Sequence, residues 1–236
     1  MIQVESLHKR FGKNVVLAGL ELDIHQGGIF AILGPNGSGK TTLIKTLLGM
    51  VIPNKGSITV MDSPVRNKWK YRQDINYLPQ IANFPGNLRV KELIAMIKDI
   101  RQKPSNEQKL IGLFGLEPFL DKKLSNLSGG TKQKVNIVLT FMFDSPLIIL
   151  DEPTNGLDPL ALIRLKELIF EEKAKGKTFL ITSHIMQFVE EVSDQIVYLL
   201  EGKIYFKGSI SELKTKTGQS NFEHAIAAIS THNNHD

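Results

Sequence analysis

No cysteine occurs in the 236 residues, which removes disulfides and thiolate metal sites and fits a reducing compartment. No uninterrupted apolar run approaches the roughly 18 to 20 residues that a membrane-spanning helix needs. The opening MIQVESLHKR lacks the apolar stretch of a secretory signal. The expectation is a soluble, cytoplasmic chain. Basic blocks are missing too. The net charge is +5, yet the lysines are scattered, and no run of about five or six marks a nucleic-acid surface. Nucleic acid is therefore not an expected partner. Ordinary solvation is the plainer reading of the charge, and a surface beside anionic lipid headgroups or bound nucleotide is the alternative. Internal repeats and low-complexity linkers are also lacking. What is present is 42% apolar composition, enough for one large α/β domain or two small ones.

Two kinds of strand pattern follow. Ile2 and Val4 alternate with polar neighbours, as do Leu20, Leu22 and Ile24, and then Ile58 and Val60. Such half-buried alternation favours antiparallel pairing. By contrast Ile29 to Leu33, Leu147 to Leu150 and Phe179 to Thr182 are continuous apolar runs, the pattern of parallel strands covered on both faces. Helical stripes lie between them: Leu43, Ile44, Leu47 and Leu48; Val90, Leu93, Ile94 and Ile97; Val135, Val138, Leu139 and Met142. Asp158, Pro159 and Gly176 read as N-cap, first-turn proline and C-terminal glycine of a helix from Leu160 to Lys175. Ile196 to Leu200 and Ile204 to Phe206 read as a closing hairpin around Glu201 and Gly202. Phe222, Ile226 and Ile229 could mark a short packed helix, followed by a frayed polar end from Ser230 to Asp236.

The first chemical motif is Gly34-Pro35-Asn36-Gly37-Ser38-Gly39-Lys40-Thr41. It matches G-x-x-x-x-G-K-[ST] between a buried strand and a helix, the context such a phosphate loop requires. Glycines at 34, 37 and 39 permit positive φ and close backbone approach. Their N–H groups and the positive helix end would face phosphate oxygens. Lys40 would add a cation at the β/γ bridge, the Thr41 hydroxyl part of a Mg²⁺ shell, and Thr42 a donor near the α-phosphate. A merely connecting turn would leave Lys40 beside the positive helix end with no anion, which is unfavourable.

A second motif is the strand Leu147 to Leu150 ending in Asp151 and Glu152, at the carboxyl end of a parallel strand where such folds bind ligands. Asp151 would hold Mg²⁺, largely through water. Strand alternation would turn Glu152 the other way, toward the γ-phosphate, as the base that polarises the attacking water. The plainer reading is a helix-cap acid with a solvated neighbour. A third motif, Leu127-Ser128-Gly129-Gly130, either caps the next helix through Ser128 or offers a second bare helix start to a γ-phosphate.

Taken together, the phosphate loop, Tyr77-Leu78-Pro79-Gln80, LSGG at Leu127, Asp151-Glu152-Pro153, Gly156-Leu157-Asp158 and Ser183-His184 resemble the ABC ATPase family over residues 1 to about 210. The resemblance implies an α/β P-loop NTPase fold: a RecA-like mixed or parallel core sheet, an N-terminal antiparallel β subdomain and an inserted helical subdomain. The core would be 1–85 and 143–210, the helical part 86–142, and 211–236 a short tail. It implies MgATP hydrolysis in a head-to-tail dimer docked on separate polytopic membrane subunits, at the cytoplasmic face of the inner membrane. A soluble ABC ATPase acting on a non-membrane partner is the alternative. Phe11, before Gly12, resembles the aromatic that stacks on adenine, against a core or turn aromatic. Gln80 resembles the glutamine of the Mg²⁺ shell, against a surface glutamine. His184 resembles the histidine that bonds the γ-phosphate, against a structural histidine. Ser128, Gly129 and Gly130 would act on the nucleotide held by the other subunit, and Asp158 would link the two. Thr131 departs from the family, where a glutamine or similar longer side chain is commoner. The loop from Ile81 to Leu88, with Phe84 and Pro85, resembles the groove that receives a membrane subunit's coupling helix, or is a packed corner. The compact form looks most like ABC-2 export ATPases, and more narrowly like the copper-linked ATPase of nitrous oxide reductase maturation. His224, His232 and His235 read as solvated.

Overall fold

The computed structural model describes residues 1–231; the end of the polar tail, with His232 and His235, lies outside the described residues. The chain forms two compact units, Met1–Arg72 with the chain from Thr178 onward, and Gln73–Lys177. In the first, β1 (Ile2–Phe11), β2 (Asn14–Ile24), β4 (Lys55–Val60) and β5 (Ser63–Pro64) pair antiparallel in the order β2-β1-β4-β5. Ile2 stands opposite both Ile24 and Val60, and Val4 opposite Leu22 and Ile58. All of these apolar residues are buried, as the alternation predicts.

The same unit holds β3 (Gly28–Leu33), parallel to β8 (Thr178–Thr182) on one side and β9 (Gln195–Leu200) on the other. The hairpin partner β10 (Lys203–Gly208) is antiparallel to β9. Strands β3 and β8 are buried along their length apart from Gly28, which accounts for their uninterrupted apolar runs. Helix α1 (Lys40–Leu47) follows β3 and buries Leu43, Ile44 and Leu47.

The second unit carries β6 (Ile75–Leu78) parallel to β7 (Leu147–Asp151). Between them the described chain is helical: α2 (Val90–Arg101), α3 (Glu107–Phe114) and α4 (Gly129–Phe141). Helix α5 (Pro159–Ala174) follows β7. Asp158 is its N-cap, accepting from the Ala161 N–H at 2.8 Å, and Gly176 just past its end has φ 83°. These are the start and stop that the sequence announces.

Back in the first unit, α6 (Met186–Val192), α7 (Ile210–Thr217) and α8 (Phe222–Thr231) are the last helices of the described residues. The stripe at Phe222 and Ile226 does pack: both join Leu213, Ala31, Leu33, Ile196 and Tyr198 in one buried cluster. Helix α7 goes beyond the sequence reading. Its signal is the capping box in which Ser209 and Glu212 satisfy each other's backbone N–H groups. Because Phe222 is 2% exposed, Phe222→Ala should cost about 3 to 5 kcal/mol, read from urea denaturation of the full chain. A loss below about 1 kcal/mol would show that α8 rests on the core without supporting it.

Candidate active site

The turn from β3 to α1 is built by residues 34–39. Gly34 has φ 150°, and a Cβ there would stand 2.0 Å from the Leu199 carbonyl oxygen and 2.8 Å from Ser38 Oγ. No larger residue fits without moving backbone. Gly37 and Gly39 also have positive φ, 81° and 108°. Gly39 is the N-cap of α1, offers no side-chain cap, and is followed by a first turn without an acidic residue. The N–H groups of that turn, and the positive end of the helix, therefore have no local carboxylate. Lys40 Nζ donates back to the Gly34 and Pro35 carbonyls at 2.8 and 3.1 Å. Ser38 is buried, and its hydroxyl has no hydrogen-bond partner among the described residues. An orphan of that kind costs about 1 to 3 kcal/mol, which an anion held in the loop would offset. The residues present thus fit a polyphosphate. Asn36 and Gly37 are exposed, and Thr41 and Thr42 are half-buried in the first turn of α1.

In the same unit Phe11 is 52% exposed, with the Lys9 ammonium 4.7 Å from its ring centroid. That excludes a core aromatic. His184 is exposed, just past β8, where the buried Ser183 accepts the Ile185 N–H at 3.1 Å.

In the second unit Asp151 ends β7 at 2% exposure. Tyr77, on the neighbouring β6, has its phenol pushed up to about 12, by burial first and then by the Asp151 charge. Glu152 corrects the alternation expected of it: it lies past the strand with φ 52°, so strand geometry does not set its direction. Pro153 cannot donate to a ladder, and the chain turns instead, the Asn155 N–H reaching the Glu152 carbonyl at 3.4 Å. A non-glycine residue with φ of this sign is uncommon and marks the turn away from the strand. Among the described residues no three His, Asp or Glu side chains form a metal cage. One or two carboxylates beside ligand phosphates are how Mg²⁺ is usually held, and the buried Asp151 carboxylate fits that chemistry.

Ser128 caps α4, its Oγ accepting the Thr131 N–H at 3.2 Å and lying 2.9 Å from Thr131 Oγ1. A Cβ on Gly130 would stand 2.5 Å from the Gly156 carbonyl oxygen. Bare backbone at both glycines lets the LSGG start touch the Gly156-Leu157-Asp158 turn. Asp158 is tied to the same place by Lys134, Nζ to Oδ2 2.6 Å. The Lys134 ammonium first, and the Ala161 N–H second, hold its carboxyl below the usual range. Gln80 is exposed two residues past β6.

Two residues escaped the sequence reading. Gln133 and Asn136 are buried on α4 and donate to the Pro153 carbonyl at 3.0 Å and the Pro79 carbonyl at 3.2 Å. They pin the chain next to Glu152 and Gln80. With Thr140 they form a polar stripe at helical spacing, which periodicity cannot distinguish from a solvent face.

The fold and these loops define a P-loop ATPase. The family model described as ABC transporter matches residues 17–155. The Nod factor export ATP-binding protein I of Burkholderia lata is 33% identical over 88% of this chain and 70% of its own length. An uncharacterized ABC transporter ATP-binding protein of Bacillus subtilis is 31% identical over 94% of this chain and 75% of its own. A solved ATP-binding subunit of an ABC transporter superposes with TM-score 0.90 at 28% identity, covering 98% of this chain and all of that one. The chain belongs to the ABC transporter family, as an ATP-binding subunit that hydrolyses ATP.

Asn136→Ala should lower ATP turnover several-fold with ATP affinity nearly unchanged, since it frees the Pro79 carbonyl and leaves the phosphate loop alone. Equal loss of both would show general destabilisation. Asp158, with a lowered folded pKa, contributes stability above its unfolded value that is lost as pH falls through the folded one. Its carboxyl should therefore titrate below about 3.9 by NMR and move back toward that value in Lys134→Gln. An unshifted wild-type midpoint would contradict the pairing.

Proposed function

We propose that the chain powers an export-type ABC transporter as one half of a head-to-tail ATPase pair, docked on separate polytopic membrane subunits at the cytoplasmic face of the inner membrane. The observation that carries the pairing is that α1 and α4 each begin on glycine-bearing backbone with no acid in the first turn. The phosphate-loop start carries Lys40, which donates back to the loop's own carbonyls, whereas the LSGG start carries Lys132 after its two glycines and no acid. A second copy's nucleotide would supply the anion that the LSGG start lacks. The export reading draws on the relatives named for Nod factor export. Within this reading, 1–85 and 143–210 form the nucleotide-binding core and 86–142 the helical part. The groove of about 390 Å³ lined by Ala82, Phe84, Pro85, Gly86, Ser125 and Lys132 would take a cytoplasmic helix of a membrane subunit.

In the reaction, Asn36 to Gly39 wrap backbone N–H groups around the β-phosphate, and Lys40 exchanges its loop carbonyls for the β/γ bridge. Ser38 and Thr42 donate hydroxyl hydrogens to phosphate oxygens, and Phe11 stacks on adenine. Thr41, Gln80 and Asp151 would hold Mg²⁺. When bound, that ion would neutralise negative charge on the phosphates. Glu152 accepts a proton from the attacking water as general base, and His184 hydrogen-bonds the γ-phosphate. Ser128, Gly129 and Gly130 clamp that phosphate from the other copy, with Asp158 joining the two copies across the pair. Loss of the γ-phosphate removes what both helix starts share, so the pair opens.

Glu152→Gln should retain MgATP, lose at least about 100-fold in hydrolysis, and elute as a dimer in ATP. Wild-type turnover would overturn the base assignment, and a monomer with ATP bound would overturn the pairing. Lys40→Ala should weaken ATP binding itself.

A further inference from the structure

Residues 66–70, Arg-Asn-Lys-Trp-Lys, form a run in which every residue is exposed, held at its ends by buried Val65 and Tyr71. The Lys68 N–H reaches the Val65 carbonyl at 3.4 Å, and Asn67 turns the chain outward with φ 60°. At the other end the Tyr71 hydroxyl donates to the Leu47 carbonyl, the last residue of α1, at 3.0 Å. The protrusion therefore stands on a firm base. From Ser63 to Gln73 the sequence has Arg66, Lys68, Lys70 and Arg72 and no acid. The flanking acids are Asp62, exposed, and Asp74, which Lys103 engages at 3.2 Å. Arg66, Lys68 and Lys70 make no ion pair among the described residues, and Arg72 lies over the Tyr71 ring. Basic residues alternate with others here, so no consecutive run flags the segment.

Trp69, the chain's single tryptophan, is 59% exposed between two lysines. A large aromatic left in water amid unneutralised cations has no folding rationale. The neighbouring turn adds apolar surface of a different kind. A Cβ on Gly49 would stand 2.8 Å from the Tyr71 hydroxyl and 3.2 Å from Arg72 Nη2, so the turn after α1 lies against this segment. That turn exposes Met50 at 60% and Ile52 at 71%. We propose that this basic protrusion, with Met50 and Ile52 beside it, is a docking surface for anionic phospholipid headgroups, with Trp69 seated at the membrane interface.

The chemistry favours lipid over the other large polyanion, nucleic acid. Bases would use a set of aromatic faces for stacking, and here there is one; Met50 and Ile52 cannot stack but can enter the boundary between headgroups and acyl chains. Tryptophan prefers that boundary, where its ring meets apolar chains and its N–H meets water. Lysine and arginine near an anionic leaflet are each attracted to it, and the attraction fades within a Debye length. Such a contact would give the ATPase its own hold on the bilayer, independent of any membrane subunit.

The test uses the full chain and its one tryptophan as reporter. Vesicles of equal phosphatidylglycerol and phosphatidylcholine should co-sediment the protein and shift Trp69 emission to the blue, whereas pure phosphatidylcholine should do neither. Lys68→Gln with Lys70→Gln should weaken partition by roughly 25-fold, about fivefold for each charge. That variant, altered only at exposed positions, should keep wild-type ATPase activity, which separates this result from failure of the nucleotide-site reading. Equal partition onto neutral vesicles would overturn the proposal, as would undiminished binding by the double variant. A Trp69 shift produced by single-stranded oligonucleotide but not by anionic vesicles would overturn it in favour of nucleic acid.

Discussion

Gly34 leaves β3 so close to β9 that the Leu199 carbonyl oxygen occupies the space of a side chain. The approach fixes more than one residue. The Ser38 carbonyl accepts the Gly202 N–H at 3.2 Å, and the Gly202 carbonyl accepts the Ala18 N–H at 3.0 Å. Gly39 in turn sits where a Cβ would meet Leu17 and the Val16 carbonyl at 2.9 Å. The hairpin turn between β9 and β10, and the middle of β2, thus hold the phosphate loop from two sides. Backbone held in this way aims its N–H groups before any ligand arrives, and a preorganised cradle loses little entropy on binding. The unpartnered Ser38 hydroxyl is the local cost of that arrangement.

Legibility followed physical uniqueness. A glycine with no room for a Cβ, a lysine at a helix start and a proline behind an N-capping aspartate each have few explanations, so the phosphate loop and both ends of α5 could be read directly. The continuous runs in β3, β7 and β8 were legible because full burial leaves no polar face. Glu152 was not, because a strand's last residue looks the same in sequence as the first residue of a turn; only Pro153 hinted that the ladder would stop. Gln133 and Asn136 were hidden for a different reason. Their partners are carbonyls of loops far away in sequence, and a polar side chain carries no mark of whether water or a carbonyl will satisfy it.

The tail shows the limit of composition. Phe222 and Ile226 are a sparse stripe in a polar stretch, yet they lie in the same cluster as Ala31 and Leu33 of β3. Burial of Phe222 contributes roughly 2 kcal/mol, so the strand that feeds the phosphate loop leans on the last described helix. Two helical turns near the chain's end are in this sense part of the nucleotide site's support.

Thr131, the one visible departure from the family pattern, gains a meaning from hydrogen-bond inventory. A serine hydroxyl has one hydrogen to give and two acceptor positions. Ser128 Oγ already accepts the Thr131 N–H, and the two hydroxyls lie 2.9 Å apart. With Thr131 donating across that contact, both acceptor positions of Ser128 are filled by one residue, and its own hydrogen remains for an incoming oxygen. A phosphate oxygen is an acceptor only, so a phosphate bound there would favour that arrangement, with threonine leaving the serine hydrogen for it. The Gly130 and Gly156 contact sets that hydroxyl beside the turn that carries Asp158, so the capped start of α4 packs directly against the turn that begins α5.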